Sequence, residues 1–340
     1  MAYDVPSIKC PPLRLPSLPQ GVFAGYPVRA TVCRVRLGEE KKRRARDTMV
    51  ALSERLTAHL AREWREDLEP VWRDFFEGVE PDLGELPGWD VPDLFPDRLE
   101  LGHVREAEEA VEGPHMVRAF DGLTPDQVRV VILGQDPYPR RDRATGRAFE
   151  DGAWDGNDPA TAADSLRRLL QSAAACARPD LGISEEEDDW TGIWDAVDIG
   201  DVAPPVMPRY FDDLAAQGVL CVNAAWTFTG RARAHLDVHL KVWRPVVQHL
   251  ILGMITREGG GPVFLQLGGK ARKLFHAATW RRLRAEPEIN ARTVYCAHPT
   301  AWTGQTYFNY ENPLTRVNQA LAELGAEEVR WWPILQHDAA

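Results

Sequence analysis

The sequence predicts an α/β protein, a three-layer α/β/α sandwich with a central four-stranded parallel sheet. Three observations predict it. Four short apolar runs, at 128–133, 218–223, 262–267 and 293–297, have strand length and almost no polar alternation. Such runs are expected of strands covered on both faces. Stretches with helical spacing follow three of them, at 165–177, 242–257 and 270–277, and a last one closes the pattern at 313–324. Strands and helices in alternation give parallel crossovers, with helices on both faces of one sheet.

Ahead of this pattern, residues 1–28 are rich in Pro and read as an extended arm. Residues 28–36 alternate apolar and polar like a strand. Lys41-Lys42-Arg43-Arg44 is a basic run, either a solvated face or a patch that touches phosphate. Together these make an N-terminal extension over 1–50, and 51–340 reads as one domain. Residues 48–77 read as helical, with Leu52, Leu56, Leu60 and Trp64 at four-residue spacing. Residues 79–98 hold many Pro and acidic residues and read as loop. The run Glu185-Glu186-Glu187-Asp188-Asp189 marks an acidic insertion near 178–210, read as a solvated loop.

Composition sets outer bounds. Hydrophobic residues make up 44% of 340, enough for a substantial core. The net charge of -11 counts mildly against a nucleic-acid binder, although the local field at a site decides. Most of the 12 Trp are expected in the core, and some could stack on bases. The five cysteines form no Cys-x-x-Cys pair, so no disulfide framework, zinc site or iron–sulfur cluster is expected. No apolar run approaches a membrane span, and the start lacks a secretory pattern. The expectation is a reduced, cytoplasmic protein without metal, organic cofactor or membrane partner, acting as a monomer.

In open parallel sheets, ligands bind beyond the carboxyl ends of the strands. The first run ends in Gly134-Gln135-Asp136-Pro137-Tyr138, and the second in Asn223-Ala224-Ala225-Trp226-Thr227. The third ends in Gly268-Gly269-Lys270, and the fourth in His298-Pro299-Thr300. One edge of the sheet thus collects a carboxylate, an imidazole, amides that can read a base edge, and aromatics that can stack. Neither a dinucleotide fingerprint nor a Gly-Lys-Ser/Thr phosphate loop is present. A nucleoside-sized ligand, cleaved by acid–base or electrostatic chemistry, fits that inventory.

On these residues the sequence resembles the uracil-DNA glycosylase superfamily, and within it family 1. Val131-Ile132-Leu133-Gly134-Gln135-Asp136-Pro137-Tyr138 is similar almost letter for letter to that family's water-activating signature. The segment 218–224 resembles its uracil-recognition strand, and Ala297-His298-Pro299-Thr300 its leucine loop. The segment 227–243 keeps an Arg-Ala, a His-x-Lys and a Trp in the family's arrangement. The match covers roughly 60–325 in pieces.

The resemblance implies a monofunctional DNA glycosylase acting on a base flipped out of DNA, single- or double-stranded, most simply uracil, and leaving an abasic site. It implies that Asp136 positions a water and stabilises a sugar cation, and that His298 bonds the base oxygen where negative charge grows. Gln135 would hold the loop and Asn223 would read the Watson–Crick edge. Tyr138 would block the C5 position, and Phe149 would stack on the base. Read without the family, Asp136 could be a turn residue, Asn223 a loop bond and Phe149 ordinary core. Ser165, Gly269, Lys270, Thr300 and Trp302 are the expected DNA contacts, with Trp302 at the position that wedges into the duplex.

The family pattern also breaks. Pro139 stands where the family has His, Glu150-Asp151 are more acidic than expected beside DNA, and Gly268-Gly269 lacks the family's Ser. These departures leave two alternatives open. One is a glycosylase for a modified or phage-encoded pyrimidine acting in defence. The other is a DNA- or protein-binding relative without turnover.

Overall fold

The computed structural model describes residues 49–61, 63–99, 105–106, 111–156, 161–181, 205–230, 232–286, 292–301 and 311–332. All belong to the second of two compact units, Thr48–Ala340. The arm, the strand expected at 28–36, the basic run, the acidic run and Trp302 lie outside the described residues.

Four parallel strands form the central sheet: β3 (Val130–Gly134), β4 (Val219–Asn223), β5 (Val263–Leu267) and β6 (Arg292–Cys296), in the order β4-β3-β5-β6. Alternate side chains divide between two cores, as the pleat requires. Val130, Ile132, Cys221 and Leu265 point to one face, where α3 (Asp164–Ala177), α4 (Arg209–Ala216) and α7 (Pro313–Glu323) pack. Val131, Leu133, Val222 and Phe264 point to the other. There they meet α1 (Leu52–His59), α2 (Pro70–Phe75), α5 (Arg233–Ile255) and α6 (Gly269–Ala285). This is the expected three-layer sandwich. Two two-residue strands, β1 (Val50–Ala51) and β2 (Asp90–Val91), pair antiparallel outside it.

The local differences have physical causes. The helix expected over 48–77 is broken into α1, a 3-10 turn at Trp64–Asp67 and α2. Pro70 occupies the first turn of α2, and Glu69 before it is extended, because a residue preceding proline avoids the helical region. Helix α5 starts at Arg233, nine positions before the expected 242, and carries Pro245 inside it. Its first turns are mostly polar and part-exposed, so the apolar period begins only at Val242. Helix α6 likewise runs on to Ala285 through a polar stretch. Helix α4 falls at the end of the region read as an insertion. Its spacing of Tyr210, Phe211, Leu214 and Ala215, all buried, is the helical signal that went unused.

Candidate active site

The ends of β3 and β4 are zipped together. Ala224 N–H donates to Gly134 O at 3.0 Å, and Ala225 N–H to Gln135 O at 3.0 Å. Gly134 and Asn223 are register partners across the two strands. A Cβ on Gly134 would lie 2.5 Å from Asn223 Oδ1 and 2.9 Å from Ala148 Cβ. Only the missing side chain lets the Asn223 amide and the Ala148-Phe149 turn converge. Trp226 Nε1–H donates to Asn223 O at 3.0 Å and fixes the carbonyl from behind. Trp226 in turn stacks on Trp243, with ring centroids 4.8 Å apart.

β5 and β6 bring the imidazole. Gly268 has φ 95°, and a Cβ there would lie 3.0 Å from His298 Cβ. Glycine therefore serves both the left-handed backbone and the close approach. His298 Nδ1 accepts from Thr300 N–H at 3.2 Å and lies 2.9 Å from Thr300 Oγ1. A backbone N–H can only donate, so Nδ1 is unprotonated and the neutral ring carries its proton on Nε2. Burial lowers the imidazole's pKa below its ordinary value, favouring that neutral form.

Asp136 is half-buried and accepts from Gln135 Nε2 at 2.8 Å. Burial raises its carboxyl pKa, while the Gln135 bond and the charge of Lys270 pull it back. Lys270 itself is bonded to Asp237, Nζ to Oδ1 at 2.6 Å.

These strand ends open into a cavity of about 720 Å³. Gln135, Asp136, Tyr138, Phe149, Ser165, Asn223, His298 and Thr300 all line it, so eight of the residues singled out from sequence come together. Lys270 lines a neighbouring groove of about 380 Å³ that also reaches Gln135 and Asp136. Gly269 is exposed at the start of α6 and lines neither. Ser165, expected as a DNA contact, lines the cavity and is buried, with Oγ 2.9 Å from the Tyr138 hydroxyl.

The acidic pair after Phe149 is also placed differently. Glu150 and Asp151 are 2% and 0% exposed. Glu150 sits between Arg147 at 3.5 Å and Arg118 at 3.6 Å, and Asp151 is bonded to Arg143. The expected acidity beside DNA is therefore internal ion pairing. Arg143 and Arg147 line the cavity as well, and sequence reasoning missed both. Their pairing with Asp151 and Glu150 at spacings of eight and three residues was the available signal. A larger cavity of about 940 Å³ shares Arg147 and is walled by its partners Glu150 and Asp212 and by Arg105 with Glu69 and Asp121, and none of its lining residues is a strand-end residue. Among the described residues, no group of three or more His, Cys, Asp or Glu side chains could hold a metal ion, and no helix is long and apolar enough to cross a membrane.

A doubly covered parallel sheet whose strand ends gather a carboxylate, an imidazole, an amide and two aromatic side chains around one cavity defines an α/β protein with a candidate site at the carboxyl edge of its sheet. The model of the uracil DNA glycosylase superfamily matches residues 121–335, and the chain belongs to that superfamily. It is 28% identical over 219 residues to a uracil-DNA glycosylase of Mycobacterium avium, covering 64% of this chain and 79% of that one. It is 27% identical over 277 residues to one of Xanthomonas euvesicatoria pv. vesicatoria, covering 79% of this chain and 92% of that one. Among solved structures, wild-type UNG from Nitratifractor salsuginis is 22% identical with a TM-score of 0.44, covering 64% of this chain and 79% of that one.

Proposed function

We propose that this protein hydrolyses the N-glycosidic bond of uracil in DNA and leaves an abasic site in an uncut strand. The observation that carries the reading is the pairing of Asp136 with a neutral His298 Nε2–H donor in one cavity walled by Asn223, Tyr138 and Phe149. The bond between base and sugar breaks with its electron pair going to the base. His298 Nε2–H donates to the base oxygen on which that charge grows, and being neutral it does so without transferring a proton. Asp136 faces the sugar as a fixed negative charge that stabilises the developing cation. It also orients the water that adds to the sugar carbon, the water's proton leaving to the carboxylate or solvent. The Asn223 amide offers one donor and one acceptor to a uracil edge. The Tyr138 ring leaves no room for a C5 substituent, which favours uracil over thymine and over bulkier modified pyrimidines. The nucleotide reaches this cavity flipped out of its strand.

The test is base release from oligonucleotides carrying uracil, thymine, 5-hydroxymethyluracil or a modified cytosine, single- and double-stranded. Uracil release is expected, lowered by about 10²–10³-fold in His298→Leu and at least as strongly in Asp136→Asn. Release of no base by the native chain, or undiminished release by Asp136→Asn, refutes the proposal.

A further inference from the structure

The Tyr138 hydroxyl lies 3.2 Å from Phe149 O and 2.9 Å from Ser165 Oγ. The directions of these two bonds are forced. A carbonyl oxygen can only accept, so the single Tyr138 proton goes to Phe149 O, and the Ser165 hydroxyl must donate to Tyr138 Oη. Ser165 is buried in the first turn of α3, where its proton is directed at Tyr138. Phe149, the acceptor at the end of this chain, is the one non-glycine among the described residues with a left-handed backbone, φ 69°. That conformation costs free energy and persists only where surrounding bonds hold it.

We infer that Ser165 is a specificity-determining positioning residue, which fixes the Tyr138 ring against the C5 edge of the base. The inference rests on the glycosylase reading above. With both bonds in place the Tyr138 hydroxyl is held from two directions, by α3 on one side and by the Phe149 turn on the other. The same bonds tie the C5 wall to the ring that faces the base. Without the Ser165 hydroxyl, Tyr138 keeps one bond and pivots about Phe149 O. The space left by Oγ then lets the ring back away by the width of a methyl group.

The experiment compares thymine with uracil excision, as a ratio of kcat/KM, in the native chain, Ser165→Ala, Ser165→Thr, Tyr138→Phe and the double variant. Losing one bond to a buried hydroxyl is expected to raise the thymine-to-uracil ratio about tenfold in Ser165→Ala. Ser165→Thr keeps a hydroxyl and is expected to restore the native ratio. In a Tyr138→Phe background, Ser165→Ala is expected to leave the ratio unchanged, because its target is gone. The salt dependence of KM is expected to match the native chain's. Equal losses on both bases in Ser165→Ala, with a shallower salt dependence, overturn the inference and make Ser165 a phosphate contact. A raised ratio that persists in the Tyr138→Phe background also overturns it. Calorimetric titration with free uracil and free thymine reads the same preference without turnover. A native chain that prefers uracil but releases none refutes the glycosylase reading alone. A preference identical in the native chain and Ser165→Ala refutes the inference alone.

Discussion

Lowering the pH from 7 to 5 is expected to cost the fold about 2 kcal/mol through His239 alone. His239 is completely buried on α5. Trp243 Nε1–H donates to Thr227 Oγ1 at 2.8 Å, which leaves the Thr227 hydroxyl to donate to His239 Nδ1 at 2.9 Å. The ring proton is then on Nε2, directed at Thr229 Oγ1 at 3.1 Å. Both nitrogens are satisfied only in the neutral ring. Burial, reinforced by the charges of His235 and His59, lowers the pKa from 6.5 to about 3. Because the folded value lies below the unfolded one, the unfolded chain takes the proton first. The stability is therefore complete above pH 6.5 and is lost progressively as the pH falls toward 3. At pH 5 the unfolded imidazole is nearly all protonated and the folded one hardly at all. The ratio is about 30-fold, or about 2 kcal/mol. His59, lowered to about 4 by burial and by Arg98, adds to the loss in the same direction. The assay is urea unfolding at both pH values, followed by tryptophan fluorescence, for the native chain and His239→Gln. The variant is expected to be less stable at pH 7, where its network is incomplete. Its loss on going to pH 5 is expected to be smaller than the native chain's by about 2 kcal/mol. Equal losses in the two proteins refute the argument, because they mean that folded His239 titrates like an exposed one.

Gly134→Ala is expected to abolish uracil release and to lower stability by about 1–3 kcal/mol, since its Cβ would meet Asn223 Oδ1 at 2.5 Å; base release and denaturant unfolding together check this. The kcat profile is expected to fall on the acid side with a midpoint above the ordinary aspartate range, because burial raises the Asp136 carboxyl and protonation removes its charge; stopped assays from pH 4 to 8 read it. Burial lowers the His298 imidazole, so it keeps its neutral form to a lower pH than an exposed imidazole does. Glu150→Leu is expected to cost about 3–5 kcal/mol, because it takes the carboxylate away from buried Arg118 and leaves Arg147 with Asp212 alone; thermal unfolding of the variant reads the loss.

Three of the sheet strands were legible because both of their faces are buried, whereas in β6 only Val294 and Cys296 are buried. Every residue of Val130–Gly134 is buried, so the run carries no polar interruption to confuse with a loop. Gln135, Asp136, Asn223 and His298 stood out as candidates because each lies at or just after a strand end. What was hidden depends on partners distant in sequence or on chain geometry. The acidity of Glu150 and Asp151 looked like surface charge, and nothing local revealed that Arg118 would lie against one of them. Ser165 has the residue type and helix-start position of a phosphate contact, and nothing local revealed that its hydroxyl would lie 2.9 Å from that of Tyr138, 27 residues earlier. The four-residue spacing of Leu52 to Trp64 was real, with Leu52, Leu56 and Trp64 buried, but it joined two elements separated by a break.

The acidic balance of the chain also takes a different meaning around the cavity. Its four lining arginines each have a carboxylate partner: Arg140 with Asp142, Arg143 with Asp151, Arg147 with Asp212 and Glu150, and Arg167 with Asp164. The pairs differ in burial, and burial decides what each cation can do. Asp151 and Glu150 are out of water, so parting them from their arginines leaves a buried charge without compensation. Arg143 and Arg147 are therefore fixed parts of the wall. Asp142 and Asp164 are exposed, and solvent replaces them at little cost when a phosphate approaches Arg140 or Arg167. A net charge of -11 is thus compatible with a DNA-facing cavity mouth. On the proposed function, the positive charge available to DNA is that of the exposed pairs, whose carboxylates solvent can replace, while the buried pairs hold the shape of the cavity.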